Sequence, residues 1–299
     1  MEATSPTIAR RRVRIAIREA REAAELTQAQ VAEELEWSLS KVIRIENGDV
    51  SISVNDLRLL LPYLGIRDRA QVAALVSDAR IARARTKTAW WAEGRFRELM
   101  SDPLRRYIEF EAEASEIRSF SILYLPGPLQ TSDYGKALTG SWLDEEDNFT
   151  QEKIDTLVEA RQRRHEALIA RTGSVRVFVV LDEGVFNRPI GGNRVFAGQL
   201  RQLVELSERG LTYIRMLPFD IKVSIANNGS FDLLTVGAGQ ATGEVMYREN
   251  GITDEMIENR RETARHRRRF EQLWQAADDE NDTIEFMKKR ITALESASP

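Results

Sequence analysis

The chain has no cysteine among its 299 residues, which excludes disulfide staples, thiolate zinc sites and cysteine nucleophiles. Its only two histidines, His165 and His266, leave imidazole chemistry with little to draw on. No run of about 18 apolar residues is present to span a bilayer, and the opening MEATSPTIARRR lacks the apolar core of a signal peptide. A cytoplasmic protein with no membrane partner is therefore expected. With 42% apolar and 30% charged residues, the composition excludes disorder and a fibrous repeat, and the length suits two packed domains.

The net charge of −4 hides an asymmetry. Residues 1–97 hold 17 Lys+Arg against 13 Asp+Glu, a net +4, and the remainder holds 26 against 34, a net −8. A basic N-terminal part on an acidic whole suits a polyanion-binding module attached to something else. A solvated helix face has the same composition, so charge alone decides nothing.

Helical spacing of apolar residues marks the N-terminal part. Val13, Ile17, Ala20 and Ala24 give a first helix, and Val31, Ala32 and Leu35 a second, opened by Thr27 as N-cap. Ser38 precedes a third helix carrying Val42, Ile43 and Ile45, which Gly48 ends by tolerating the left-handed conformation. Ser53 and Asp56 open a fourth, with Leu57, Leu60 and Leu61 facing inward. Only Glu36 and Trp37 separate helix two from helix three, and such a turn sets helix three across helix two. Its outward positions then enter a DNA major groove, about 12 Å wide. There Arg44 offers a bidentate fork to guanine, Ser40 reads a base edge and Leu39 packs on a thymine methyl. Lys41, Gln28 and Asn47 are expected at phosphates, which set register without reading sequence.

The stretch Thr27–Gly48, TQAQVAEELEWSLSKVIRIENG, resembles the helix-turn-helix of the lambda-repressor-like (xenobiotic-response-element, XRE) regulators. The TQ opening, Ala32, the WS before helix three and the RIENG close carry the resemblance. It implies base contacts from Ser40 and Arg44, backbone contacts from Gln28 and Asn47, and a structural pair between Arg21 and Glu46. Many such regulators have glycine where this sequence has Glu36, and a non-glycine residue with positive φ costs on the order of 1 kcal/mol. Arg10, Arg11, Arg12 and Arg14 read either as a basic arm along phosphates or a minor groove, or as a frayed, soluble end.

Beyond this module, Val72 to Met100 reads as continuing helix closed by Trp90 and Trp91, which suit packing at a domain junction. LRRYIEFEAEASEIRSF reads as one helix burying Tyr107, Phe110, Ala114 and Ile117, with Glu109, Glu111, Glu113 and Glu116 outward. Strands are expected at Val175–Leu181, Leu211–Leu217, Gly229–Val236 and Glu244–Tyr247. Helices are expected at about Gln151–Ala170, Asn193–Arg209, Thr253–Ala276 and Thr283–Leu294. The expected fold is multidomain: an all-α helix-turn-helix domain over 1–80, a helical connector over 81–100, and a mixed α/β (α+β) domain with one sheet over 101–299.

The segments IEFEAEASEIRSFSILYLPGPLQTSDYGKAL, VVLDEGVFNRPIGGNRVFAGQLRQLVEL, YIRMLPFD, NNGSFDLL and VMYREN resemble the C-terminal domain of a group of actinobacterial helix-turn-helix regulators. The resemblance implies regulators, sometimes called antitoxin-like, that often work with a small partner protein encoded nearby. It carries no established chemistry.

Enzymatic signals are weak. GAGQATG at Gly237–Gly243 misses the spacing of a nucleotide-binding loop and reads as a hairpin turn. Asp182 and Glu183, adjacent on a strand, point to opposite faces. His165 and His266 lack a second ligand at metal spacing and read as helix-surface residues. RRETARHRRRF at Arg260–Phe270 reads as interleaved charge on an amphipathic helix, or as a dock for an acidic partner. The expectation is a homodimeric transcription factor on double-stranded DNA, nucleoid-associated when bound, with no cofactor, no metal and no catalysis. Its rival is an antitoxin-like protein whose main task is binding a small acidic partner.

Overall fold

In a computed structural model, residues 5–83, 89–141, 150–221, 229–237, 242–249 and 253–297 are described. The chain divides into two compact units, Met1–Ala89 and Trp90–Pro299.

The first unit is all helical: α1 (Pro6–Ala23), α2 (Gln28–Glu34), α3 (Leu39–Asn47), α4 (Val54–Tyr63) and α5 (Arg69–Ala82). Each starts at a side chain that accepts an otherwise unpaired amide hydrogen, supplied in turn by Ser5, Thr27, Ser38, Ser53 and Asp68. Caps of this kind contribute about 1 kcal/mol apiece, which matters for helices too short to persist alone. One core unites them, built from Val13, Ile17, Val31, Val42, Ile45, Leu57, Leu60, Leu61 and Leu75.

Two expectations change here. The arginines read as an arm or a frayed end lie inside α1, which begins at Pro6. Arg11 and Arg14 are buried, Arg12 Nη2 pairs with Asp78 Oδ1 at 2.7 Å, and Arg10 Nε donates to Ser51 Oγ at 3.1 Å. Their long stems cover apolar surface between α1, α5 and the residues around Ser51. The helix expected over Val72–Met100 ends at Ala82. Residues 84–88 lie outside the described residues, and the chain then forms a 3₁₀ turn, Trp90–Ala92, and the short α6 (Gly94–Leu99). Trp90 packs edge-on to Trp91 and Phe96, with the Arg163 guanidinium 5.4 Å from its ring, all within the second unit.

The second unit carries one six-stranded mixed sheet: β1 (Ala114–Ser121), β2 (Arg176–Asp182), β3 (Tyr213–Leu217), β4 (Phe231–Val236), β5 (Gly243–Glu249) and β6 (Asp254–Ile257), in the order β3-β2-β1-β4-β5-β6. The β1-β2 and β2-β3 pairs are parallel and the others antiparallel. Parallel neighbours need long crossovers. These are supplied by α8 (Ser132–Gly140) with α9 (Gln151–Ala170), and by α10 (Glu183–Asn187) with α11 (Gly192–Glu208). The remaining helices are α7 (Asp102–Glu111), before the sheet, and α12 (Arg260–Ala276) and α13 (Glu280–Ser296), after it. Val179, Val180 and Leu181 are consecutive and all fully enclosed, so both faces of the sheet are covered. Phe270 and Leu273 of α12 join Phe120, Val180, Leu217, Phe231, Leu233 and Met246 on one face.

The helix expected across LRRYIEFEAEASEIRSF is two elements, α7 and the central strand β1. Tyr107, Phe110, Ala114 and Ile117 are buried as expected, but Glu111 and Glu116 are buried too and do not face outward. Arg164 holds Glu111 through two bonds of 2.7 and 2.9 Å, and Glu116 meets Arg118 and, at 2.7 Å, Arg176. The start of the helix expected from Thr253 is instead β6. Antiparallel β4 and β5 flank the glycine-rich segment, whose residues 238–241 lie outside the described residues. Asp182 caps α10 by accepting from the Gly184 amide, and Glu183 accepts from the Phe219 amide.

Candidate nucleic-acid interface

The turn between α2 and α3 depends on backbone geometry. Glu36 adopts φ 52°, in the left-handed region, and this lets the Trp37 amide reach back to the Ala32 carbonyl at 2.8 Å. Ser38 then caps α3 by accepting from the Lys41 amide, and Gly48, at φ 82°, closes it. Nine residues of helix are thus fixed at both ends.

Burial divides α3 into two faces. Val42, Ile45 and Glu46 point into the unit, whereas Leu39, Ser40, Arg44 and Asn47 are exposed. Leu39 keeps 46% of its surface accessible. Ser40 and Arg44 make no side-chain hydrogen bond or ion pair among the described residues, so their polar groups are available to an outside partner.

The buried face is held by a charge cluster. The Glu46 carboxylate, 1% exposed, accepts from Arg21 Nε at 2.6 Å, Arg21 Nη2 at 2.9 Å and Gln28 Nε2 at 2.8 Å. Its own carbonyl accepts from Arg18 Nη2 at 2.7 Å. The hydrogen bond to Glu46 raises the pKa of Arg21 above its ordinary value. Arg21 also donates to the Leu26 carbonyl, so one guanidinium joins α1, the α1-α2 turn and α3, while Gln28 ties α2 to the same carboxylate. A fork-on-fork pair of this kind fixes direction as well as distance.

Other expected contact residues are partly engaged. Lys41 sits 3.8 Å from the Trp37 ring centre and 3.2 Å from Asp56 Oδ2, and Asn47 Oδ1 accepts from Arg18 at 3.4 Å. Gln28 spends one amide hydrogen on Glu46 and keeps the other. Arg11, expected at the DNA backbone, is buried in α1. Arg18 is the residue sequence reasoning missed. Its position one turn before Arg21 on the same helix face was the available signal.

No helix among the described residues is long and apolar enough to cross a membrane. A search of curated proteins returns no match to the chain. Two family models do match it: a helix-turn-helix domain over residues 13–75, and a domain of unknown function (DUF5753) over residues 104–289. The first runs from Val13 within α1 through α4 and into α5, and supports DNA binding; the second covers the whole sheet of the second unit. The chain belongs to the family of this domain of unknown function (DUF5753), which here follows a helix-turn-helix domain.

Proposed function

We propose that the chain is a sequence-specific transcriptional regulator of the XRE type, which binds a palindromic operator as a homodimer and is modulated through its second unit. The observation that carries the reading is the exposed, unpaired face of α3, with Leu39, Ser40 and Arg44 presented by a helix locked through Arg21 and Glu46. Arg44 reads a guanine, Ser40 a base edge and Leu39 a thymine methyl. The second amide hydrogen of Gln28, with Asn47 and the exposed part of Lys41, reaches phosphates. Two copies place their α3 helices in successive major grooves, about 34–36 Å apart, with dimerisation through the second unit.

The test is selection of bound genomic DNA fragments by the pure protein at near-physiological salt, with Arg44→Ala in parallel. A short inverted repeat enriched by the wild type and lost with the variant is the expected result. Absence of enrichment sinks the reading.

A specific observation favours a second reading. Arg261, Arg265 and Arg268 lie on one face of α12, are exposed, and make no ion pair among the described residues. This face suits a small acidic protein, in an antitoxin-like arrangement where DNA binding serves autoregulation. Co-purification of such a protein from the native host, abolished by reversing these three charges, is its test.

A further inference from the structure

Arg161 and Gln130 leave a donor and an acceptor unsatisfied within one small region of the second unit. Gln130, 4% exposed, donates through Nε2 to the Leu125 carbonyl at 2.7 Å, yet its Oε1 has no partner among the described residues. Arg161 Nη1 is likewise enclosed and unpartnered. Gly135 of α8 separates them. A Cβ at that position would stand 3.4 Å from Arg161 Cδ and 3.5 Å from Gln130 Oε1, so both side chains flank Gly135.

The neighbours do not satisfy them. Arg164, one turn along α9, is committed to Glu111 and stacks on Tyr107, and it repels Arg161. Burial, together with this like charge, lowers the Arg161 pKa to about 10, which still leaves it charged at neutral pH. Glu249 lies near enough to favour that charge, but it shares a hydrogen bond with Tyr124, and no ion pair joins it to Arg161 among the described residues. An enclosed guanidinium nitrogen without an acceptor, beside an orphaned carbonyl oxygen, is costly. Arg161, Tyr124 and Glu249 each keep part of their surface exposed.

We propose that this region binds a small organic anion that also carries a hydrogen-bond donor, its anionic group on Arg161 Nη1 and its donor on Gln130 Oε1. The chemistry is that of a short hydroxy acid or a protonated phosphate. The site uses only the second unit, so its failure would leave the DNA-binding reading untouched.

The test measures thermal unfolding and calorimetric binding of the full chain with four probes at matched ionic strength and neutral pH. Glycolate and inorganic phosphate combine an anion with a donor; acetate and sulfate present the anion alone. Glycolate should raise the unfolding midpoint more than acetate, and phosphate more than sulfate, relative to chloride. Arg161→Met should abolish all four responses. Gly135→Ala meets only ordinary contact distances, so it should fold normally and weaken glycolate on the order of tenfold. No response beyond chloride, or equal responses in the wild type and the folded variants, overturns the site. Equal responses to glycolate and acetate overturn the role of Gln130.

Discussion

At the scale of single residues, Arg44 and Arg21 show how one side-chain type serves opposite ends. Arg44 is exposed and makes no hydrogen bond or ion pair among the described residues, so Arg44→Ala leaves the fold alone. Its removal should cost about 1–3 kcal/mol of specific DNA affinity and relax preference at one base position, as read by binding to a panel of single-base operator variants. An equal loss on every sequence would reassign Arg44 to phosphate. Arg21 is turned inward, and Arg21→Ala strands the Glu46 carboxylate in a site that is 1% exposed. Breaking such a pair from one side costs about 3–5 kcal/mol, so the first unit should melt well below the wild-type temperature. Glu46→Gln in the Arg21→Ala background removes the stranded charge and should recover part of the loss. A melting temperature unchanged in Arg21→Ala would show that the pair does not hold the module together.

At the scale of elements, the α2-α3 turn stores strain, because Glu36 occupies a left-handed conformation at φ 52°. Its side chain is exposed and makes no hydrogen bond or ion pair among the described residues. Glu36→Gly should therefore stabilise the first unit by about 0.5–1 kcal/mol, visible as a higher urea midpoint with an unchanged slope. A lower midpoint would mean that the added freedom of the unfolded chain outweighs the relieved strain. The same comparison shows what the sequence makes legible. Helices α2 to α4 are readable because each has a capping residue before an amphipathic stripe, whereas the start of α1 and the end of α5 are not, and the four expected strands are short apolar runs between turns. The central strand β1 is not, because it is enclosed on both faces and its burial no longer alternates. Its Ala114 and Ile117 also extend the helical spacing of Tyr107 and Phe110, so periodicity favours the wrong element. The burial of Glu111 is hidden for another reason: its partner Arg164 lies 53 positions away, and a carboxylate met alone reads as solvated. On α3 the exposed face was legible from spacing and resemblance. The engagement of Lys41, Asn47 and the α1 arginines was not, since it depends on side chains brought together only by folding.

At the scale of the whole molecule, the chain carries two separate cores, and their chemistry makes their responses to pH separable. In the first unit the buried Glu46 carboxylate is held among arginines, and burial raises the Asp78 pKa against the opposing pull of Arg12. In the second, carboxyls sit in sites that disfavour their charge. Burial, then the neighbouring Asp254, raises the Glu249 pKa above the ordinary carboxylate range, and burial raises Asp232 in the same direction. Such a group holds its proton to higher pH in the folded state than in the unfolded chain. Its contribution to stability is therefore fully present below the unfolded value and declines as pH rises through the folded one. Glu249→Gln fixes the uncharged form and should remove that part of the decline. Unfolding followed by tryptophan fluorescence from pH 4.5 to 7 provides the measurement, since Trp90, Trp91 and Trp274 report on the second unit and Trp37 on the first. The wild-type second unit should lose stability relative to Glu249→Gln as pH rises across this range, while the first unit responds identically in both proteins. Parallel pH profiles for the second unit in the two proteins would show that Glu249 titrates alike in the folded and unfolded chains, and that the space beside Arg161 is wetter than its enclosed atoms imply.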